Sequence, residues 1–314
     1  MRRYLLLILG TALLALYFGR LDLGALFERA RSFPPPVALL VVLLNGACGA
    51  VKTLRWTRFL SRAGIDVPFG RSFLSVHAAF FMGLVTPGTA GELARALSLE
   101  RGRGRGLAIL VFEKLCDLGA LAALAGLTVV GFTGGPRWLL ATAAGLALAA
   151  AAGYLVWTRG GASLLRPLNR VLGTIFAAAG GDAAARVHDQ FHALLSSPRA
   201  VAASTAYSVA LWLLSTFQVA LIYGGLGLKP SWGFVALSYF LPYLVGVVSL
   251  VPLGLGTFEM SLKQLAVSAS EGVPAEVGSL VPAFFRAFVT VPLVIFGYGC
   301  QAATALGRRP GGAR

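Results

Sequence analysis

Long apolar runs recur along this chain and restrict its fold more than any other feature. A helix of about 20 residues crosses a hydrocarbon core about 30 Å thick. Six runs meet or approach that length, and they lie near residues 4–19, 36–54, 106–132, 137–158, 200–224 and 276–305. Because backbone polar groups in lipid must pair within the chain, these runs predict an all-α, polytopic membrane protein with about six full spans. Residues 1–314 are expected to form a single integral membrane domain.

The charge of the chain fits a membrane protein better than a nucleic-acid-binding one. Only 12% of the residues are charged, about half the fraction usual in soluble domains, yet the net charge is +15. With the N-terminus inside, the basic residues gather on the cytoplasmic side, as the positive-inside rule requires. They are Arg55, Arg58, Arg62, Arg71, Arg101, Arg103, Arg105, Arg159, Arg166, Arg170, Arg186, Arg199, Arg308 and Arg309. We therefore expect both termini in the cytoplasm, a location in the cytoplasmic (inner) membrane and no nucleic-acid partner.

Two glycine-proline breaks interrupt apolar segments in opposite halves of the chain. The first reads TPGTAGE over residues 86–92, and the second reads VPLGLGTFE over residues 251–259. Backbone that leaves the helix at membrane depth survives only inside protein or beside a polar cavity. We therefore predict two re-entrant helical hairpins, at about 70–100 and 231–270. A matched pair of such breaks is typical of the substrate site in transporters built from inverted repeats.

The flanking charges orient the two hairpins in opposite directions. Basic residues bound the 70–100 hairpin at both ends, which places its entry on the cytoplasmic side. The 231–270 hairpin is bounded by Lys229 and Glu271, which places its entry outside. The two hairpins are therefore predicted to have inverted topology.

Several charged residues fall inside predicted spans, where an unpaired charge is costly. Glu113 and Asp117 stand at i,i+4 and share a helix face, for which Arg95 is the expected cation. Glu259 is the expected anion for Arg286. If the two hairpin tips meet near the midplane, these groups form one polar cluster that can hold a phosphate. The candidate substrate-binding residues are Pro87, Gly88, Gly91, Glu92, Arg95, Glu113, Asp117, Pro252, Gly254, Gly256, Glu259 and Arg286.

These residues also admit a structural interpretation. The glycines of the breaks would let backbone N–H groups approach an anion, or would simply permit close helix packing. Glu92, with Thr89 before it, fits a capping box, and Glu259 suits the first turn of a helix. The charged network could likewise only hold the hairpins together, so both roles stay open. Lys114 and Lys263 are weaker candidates, since lysine near a helix end can reach the interface.

Two further segments are predicted to lie on the membrane surface. Residues 160–199 have apolar residues at helical spacing with arginines between them, which is typical of an interfacial helix on the inner leaflet. Residues 21–33 predict a smaller surface helix outside. The three cysteines, Cys48, Cys116 and Cys300, lack the spacing of a metal site or a redox motif. Neither a metal nor another cofactor is expected.

Taken together, the motifs resemble the lysylphosphatidylglycerol synthase transmembrane-region family. The first motif of that family reads roughly P-G-x-x-G-E-x-x-R, its next helix carries E-x-x-x-D, and its late motif reads P-x-G-x-G-x-x-E with an arginine further on. The matching stretches of this chain are Pro87–Arg95, Glu113–Asp117 and Pro252–Glu259, followed by Arg286. The resemblance covers essentially the whole chain.

The resemblance implies lipid handling at a membrane, most often flipping. The implied partners are membrane lipids of the phospholipid, polyprenyl-phosphate or hopanoid type, together with lipid-synthesis enzymes. The best-known member joins its membrane region to a soluble aminoacyl-transferase domain, whereas this chain ends at Arg314 soon after its last predicted span. Lysyl transfer to lipid is therefore not expected.

Three functions from different classes remain open. The leading one is a lipid flippase or transporter that is not an enzyme, with a midplane site between the two inverted hairpins. The second is an integral-membrane transferase acting on lipid-linked substrates, with Glu113 or Asp117 as base. Against it, the sequence contains no Walker motif, zinc pattern or Ser-His-Asp set. The third is a non-catalytic membrane partner of a lipid-synthesis complex.

Overall fold

The computed structural model describes residues 23–84, 91–133, 183–249, 251, 254–268 and 275–307, and every regular element in them is helical. The helices are α1 Leu23–Ser32, α2 Pro35–Arg62, α3 Phe69–Leu84, α4 Ala94–Leu97, α5 Arg103–Thr133, α6 Ala183–Leu195, α7 Pro198–Gly225, α8 Trp232–Val248, α9 Thr257–Ser268, α10 Ala275–Phe285 and α11 Val291–Gly307. A π-helical turn, Arg286–Thr290, joins the last two helices. The prediction of an all-α membrane protein is confirmed.

Among the described residues, three helical stretches are long and apolar enough to cross a membrane, namely Pro35–Arg62, Pro198–Gly225 and Glu276–Thr304. They correspond to the predicted spans near 36–54, 200–224 and 276–305. The run near 106–132 forms α5, whose 31 residues extend over roughly 46 Å at 1.5 Å per residue. The predicted spans near 4–19 and 137–158 lie outside the described residues, so the number of six spans stays a prediction.

Proline, serine and glycine residues set several of the helix ends. α2 begins behind Pro34 with proline in its first turn, where the missing N–H costs nothing. Ser197 and Ser231 cap α7 and α8, since each hydroxyl accepts a hydrogen bond of 3.3 Å from the backbone N–H three residues on. Gly64 follows α2 and Gly227 follows α7 with φ of 69° and 79°, a left-handed conformation that glycine adopts at little cost.

At the first break the chain reverses direction. α3 ends at Leu84, a 3₁₀ turn covers residues 91–93, and the returning helix α4 has only four residues. Gly91 lies directly against the backbone of Met82, where any Cβ would collide with it. This close approach therefore requires glycine. Pro87 and Gly88 lie outside the described residues.

The second break also folds the chain back, between α8 and α9. Gly254 and Gly256 have φ of 60° and 79°, and a Cβ on Gly254 would lie 3.1 Å from the Cα of Gly246. The hydroxyls of Ser249 and Thr257, 3.2 Å apart, hydrogen-bond across the turn. Pro252 lies outside the described residues. That either hairpin is re-entrant, and the side of the membrane from which it enters, stay predictions.

The two hairpins pack against the helical bundle with one helix in common. In the first, α3 contacts α11 and α2, and α4 contacts α5. In the second, α8 lies against α5 and α9, while α9 contacts α10. Helix α5 is therefore shared, because it touches the return arm of one hairpin and the first arm of the other.

The surface segments are described in part. Of the predicted interfacial segment 160–199, α6 and the start of α7 lie within the described residues. α6 packs against α5 through the buried Phe191 and Leu194, while Asp189, His192 and Leu195 on its other face are exposed; its position on the inner leaflet stays a prediction. The small helix predicted at 21–33 is present as α1, with Phe27 exposed.

Candidate functional site

A buried arginine on α2 is the centre of the largest polar cluster among the described residues. The side chain of Arg55 is 2% exposed. Its Nη1 and Nη2 donate hydrogen bonds of 2.7 and 3.1 Å to the two carboxylate oxygens of Asp117 on α5. Ser208 of α7 accepts a hydrogen bond from Arg55 Nη1 at 2.9 Å and donates one to Asp117 Oδ1 at 2.7 Å. Bidentate pairing of this kind is the strongest arrangement open to a guanidinium. The contacts tie three long helices together.

Glu113 joins this arginine to a second one. Its carboxylate lies 3.4 Å from Arg55 Nε and accepts a hydrogen bond of 2.6 Å from Arg95 Nη2. Glu113 is fully buried, and Arg95 is 4% exposed. The guanidinium of Arg95 also lies over the ring of Trp56, 4.4 Å from its centroid. The network therefore anchors the return arm of the first hairpin to α2 and α5.

A third ion pair is more accessible. Lys114 Nζ lies 2.7 Å from Glu92 Oε1, and their side chains are 35% and 10% exposed. Lys52 of α2 adds a cation over the ring of Phe80, 4.3 Å from the centroid. Since Glu92 follows the first break and Phe80 precedes it, these two cations lie beside the turn of the first hairpin.

The second break carries its own ion pair. Arg286 Nε donates to Glu259 Oε1 at 2.5 Å, and Arg286 Nη1 donates to Thr290 Oγ1 at 3.3 Å. The other oxygen of Glu259, which is fully buried, accepts a 2.7 Å hydrogen bond from the backbone N–H of Gly256. Glu259 therefore supports the first turn of α9 and also pairs with Arg286, while its role in substrate binding stays a prediction.

Arg286 is the first residue of the π-helical turn. Two polar side chains from other helices form hydrogen bonds beside this turn. Asn45 of α2 donates from Nδ2 to the carbonyls of Phe288 and Val289, at 3.0 and 3.4 Å. Gln218 of α7 in turn donates to Asn45 Oδ1 at 2.9 Å. A π-turn leaves backbone carbonyls without their usual partners and often marks a functional position. Here buried amides satisfy them.

The candidate residues thus lie in two groups of ion pairs. Within the described residues, the first group contains Arg55, Glu92, Arg95, Glu113, Lys114 and Asp117, and the second contains Gly256, Glu259 and Arg286. Gly91 and Gly254 serve close backbone contacts instead. Tyr243, on the first arm of the second hairpin, packs edge-on against Trp212 with ring centroids 4.7 Å apart, and Trp212 Nε1 donates to the carbonyl of Asp117 at 3.0 Å. These contacts connect the second hairpin to the first group.

Sequence reasoning missed Arg55 and undervalued Lys114. Arg55 was assigned to the cytoplasmic loop charges, but α2 continues to Arg62 and buries it. The available signal was its position between Leu54 and Trp56, one turn before Phe59 and Leu60, whereas Arg58 and Arg62 further on are exposed. Asp117 was expected to pair with Arg95, whereas it pairs with Arg55, and Arg95 takes Glu113. Lys114 was expected to reach the interface and instead meets Glu92.

Arginine–carboxylate pairs inside a bundle of membrane-length helices define an integral membrane protein with a polar interior. The sequence profile of the lysylphosphatidylglycerol synthase TM region matches residues 4–297. The chain belongs to this family, which is a membrane domain, often without catalytic activity, of proteins in lipid metabolism or transport. Comparison with curated protein sequences gives no significant match.

Proposed function

We propose that this protein is a lipid flippase or transporter that moves an anionic or polar-headed lipid across the cytoplasmic membrane. Its site would lie near the midplane, between two re-entrant hairpins of inverted topology. The observation that carries the proposal is the buried network of Arg55, Arg95, Glu113 and Asp117 beside the first break. Charged side chains inside a membrane cost free energy, and those that occur there usually serve a function.

The network supplies charged groups that would line a polar path for a lipid head group. Glu113 and Asp117 fix the two arginines in place, and the accessible Lys114–Glu92 pair lies at the edge of the same network. A head group would enter this polar interior while its acyl or polyprenyl tails stay in the bilayer. Phospholipids, polyprenyl phosphates and hopanoid-type lipids all fit this description.

Translocation by the purified protein tests the proposal. We expect vesicles containing the wild-type protein to move a fluorescent or isotopically marked phospholipid between leaflets faster than protein-free vesicles. Arg95→Lys keeps a cation for Glu113, so near-normal expression and folding are expected. It removes the planar guanidinium that binds phosphate in bidentate fashion, so translocation should fall by about tenfold or more.

Arg101→Lys is the matched control, since Arg101 is exposed and should tolerate the same change. Full transport by Arg95→Lys would remove Arg95 from the head-group path. Absence of transport by the wild-type protein over a broad lipid panel would refute the flippase proposal in favour of a membrane partner of lipid-synthesis enzymes.

The inverted topology has its own test by cysteine labelling. In a background without Cys48, Cys116 and Cys300, Arg101→Cys should react with a membrane-impermeant maleimide only from the cytoplasmic side. Glu271→Cys should react only from outside, because the second hairpin is proposed to enter there. Intact cells and inverted vesicles provide the two sides. Labelling of both positions from one side would contradict inverted hairpins.

A further inference from the structure

A proline interrupts the last membrane-length stretch near its middle. Helix α10, the π-helical turn and helix α11 follow one another directly over residues 275–307, and Pro292 is the second residue of α11. Proline has no backbone N–H, and its ring crowds the carbonyl group four residues earlier. That carbonyl belongs to Phe288, which therefore cannot receive the main-chain hydrogen bond that an α-helix would give it.

The π-turn changes the main-chain hydrogen bonding at the same place. The backbone N–H of Val291 donates to the carbonyl of Arg286, five residues earlier, which is the π-helical pattern. Prolines and π-turns are two of the usual causes of sharp helix kinks. Because both fall within residues 286–292, this short segment is where a bend of the span disrupts the fewest regular hydrogen bonds.

Side chains from two other helices compensate for the proline. Asn45 Nδ2 donates at 3.0 Å to the Phe288 carbonyl, the group that Pro292 leaves without its regular donor. Gln218 Nε2 donates to Asn45 Oδ1 and to the carbonyl of Val41, both at 2.9 Å, and so fixes the orientation of the Asn45 amide. Because the donor to Phe288 is a side chain, this hydrogen bond can be exchanged without breaking the main-chain bonds of either helix.

The two halves of the span pack on different hairpins. Among the described residues, α10 packs mainly against α9 of the second hairpin, whereas α11 packs mainly against α3 of the first. Phe285, at the end of α10, contacts Phe258 of α9 with ring centroids 5.1 Å apart. A Cβ on Gly297 of α11 would lie 2.7 Å from Phe81 Cβ and 2.9 Å from the carbonyl oxygen of His77, so α11 lies directly against α3. Each half of the span is therefore tied to one hairpin.

We propose that residues 286–292 form a hinge between two units, α3 with α11 and α9 with α10. Asn45 and Gln218 stabilise the conformation of the hinge that the structure shows. Bending at the hinge changes the orientation of one hairpin relative to the other, as in hinge motions of other proteins. Arg286, the first residue of the hinge, stays with its partner Glu259 in the second unit. The inference goes beyond the proposed function, because the hinge requires no particular substrate.

Distances between paired spin labels, measured by pulsed electron paramagnetic resonance on the full-length protein in lipid nanodiscs, test the hinge. In a background without the native cysteines, Arg71→Cys on α3 and Gln264→Cys on α9 report on the two units relative to each other. The control pairs are Arg71→Cys with Ala303→Cys in the first unit and Gln264→Cys with Glu276→Cys in the second; all four positions are exposed. We expect two distances between the units and a single distance for each control pair. A single distance between the units, as narrow as those of the controls, would overturn the proposal.

Two substitutions should shift the populations of the two distances in the same direction. Pro292→Ala gives the Phe288 carbonyl a main-chain donor, and Asn45→Leu removes its side-chain donor, so both disfavour the hinge conformation that the structure shows. Each should change the population ratio by about tenfold, the effect of one buried hydrogen bond. If Asn45→Leu does not fold, Pro292→Ala decides the test, because it adds a donor and removes none.

The matched controls make the same kinds of change away from the hinge. Pro282→Ala replaces another helix-interior proline, inside the second unit. Thr216→Val removes a buried hydroxyl that donates to the Trp212 carbonyl within its own helix. Both should leave the population ratio at its wild-type value. A wild-type ratio in Pro292→Ala, or an equal shift in Pro282→Ala, would refute the hinge.

The distance measurement does not depend on lipid movement. A protein that shows two distances between the units but moves no lipid would refute only the proposed function. A protein that moves lipid with a single distance between the units would refute only the hinge.

Discussion

Replacing Glu113 with glutamine should destabilise the protein by about 3–5 kcal/mol, the cost of breaking a buried pair by removing one partner. The substitution keeps the shape of the side chain and removes its charge. Arg95 then loses its 2.6 Å carboxylate partner, and Arg55 keeps Asp117 as its anionic partner together with its hydrogen bond to Ser208. Thermal and chemical unfolding in detergent, followed by tryptophan fluorescence, measures the loss.

The exposed Arg71–Glu100 pair is the control for this experiment. Its atoms are 4.0 Å apart and its side chains are 77% and 90% exposed, so Glu100→Gln should leave stability close to that of the wild type. A double variant, Glu113→Gln with Arg95→Gln, should recover part of the loss, because it removes the stranded cation as well. If Glu113→Gln is as stable as the wild type, the ion pairs of the network are hydrated in the folded protein and the argument from burial is wrong.

The paired charges were the part of the site that the sequence could predict. A charge in an apolar run must find a partner, and few opposite charges are available in such runs, so Glu259 could be matched to Arg286 and Arg95 to the Glu113 face. The structure brings both sets together. The arms of the second hairpin were also predictable, because α8 and α9 fill the predicted 231–270 segment on either side of its break.

Other contacts could not be predicted from the residues that neighbour them in the sequence. A helix that emerges from an apolar run continues through charged residues when tertiary contacts satisfy them, and this extension placed Arg55 inside the bundle. The π-turn at Arg286 and its Asn45–Gln218 support depend on the packing of three helices that are distant in sequence. The return arm of the first hairpin carries a helix of only four residues, and its Arg95 pairs with Glu113, which is 18 residues further along the chain.

Arg286→Ala is expected to have the second large effect on stability. The variant would leave the fully buried Glu259 carboxylate without its cation, while it still accepts the hydrogen bond from the Gly256 N–H. A loss of about 3–5 kcal/mol follows if the pair is dry. Arg101→Ala, at an exposed position, should unfold in detergent at the same temperature as the wild type.

The two roles of Glu259 can be separated with the same measurement. Glu259→Gln still accepts the Gly256 N–H and so keeps the cap of α9, but it leaves Arg286 without its anion. Because Arg286 is 14% exposed while Glu259 is not exposed, the stranded arginine can recruit water more readily than the stranded carboxylate. Glu259→Gln should therefore cost less than Arg286→Ala, and combining the two should restore much of the stability lost by Arg286→Ala. An additive loss in the double variant, or wild-type stability of Arg286→Ala, would show that the pair does not hold the second hairpin to the π-turn.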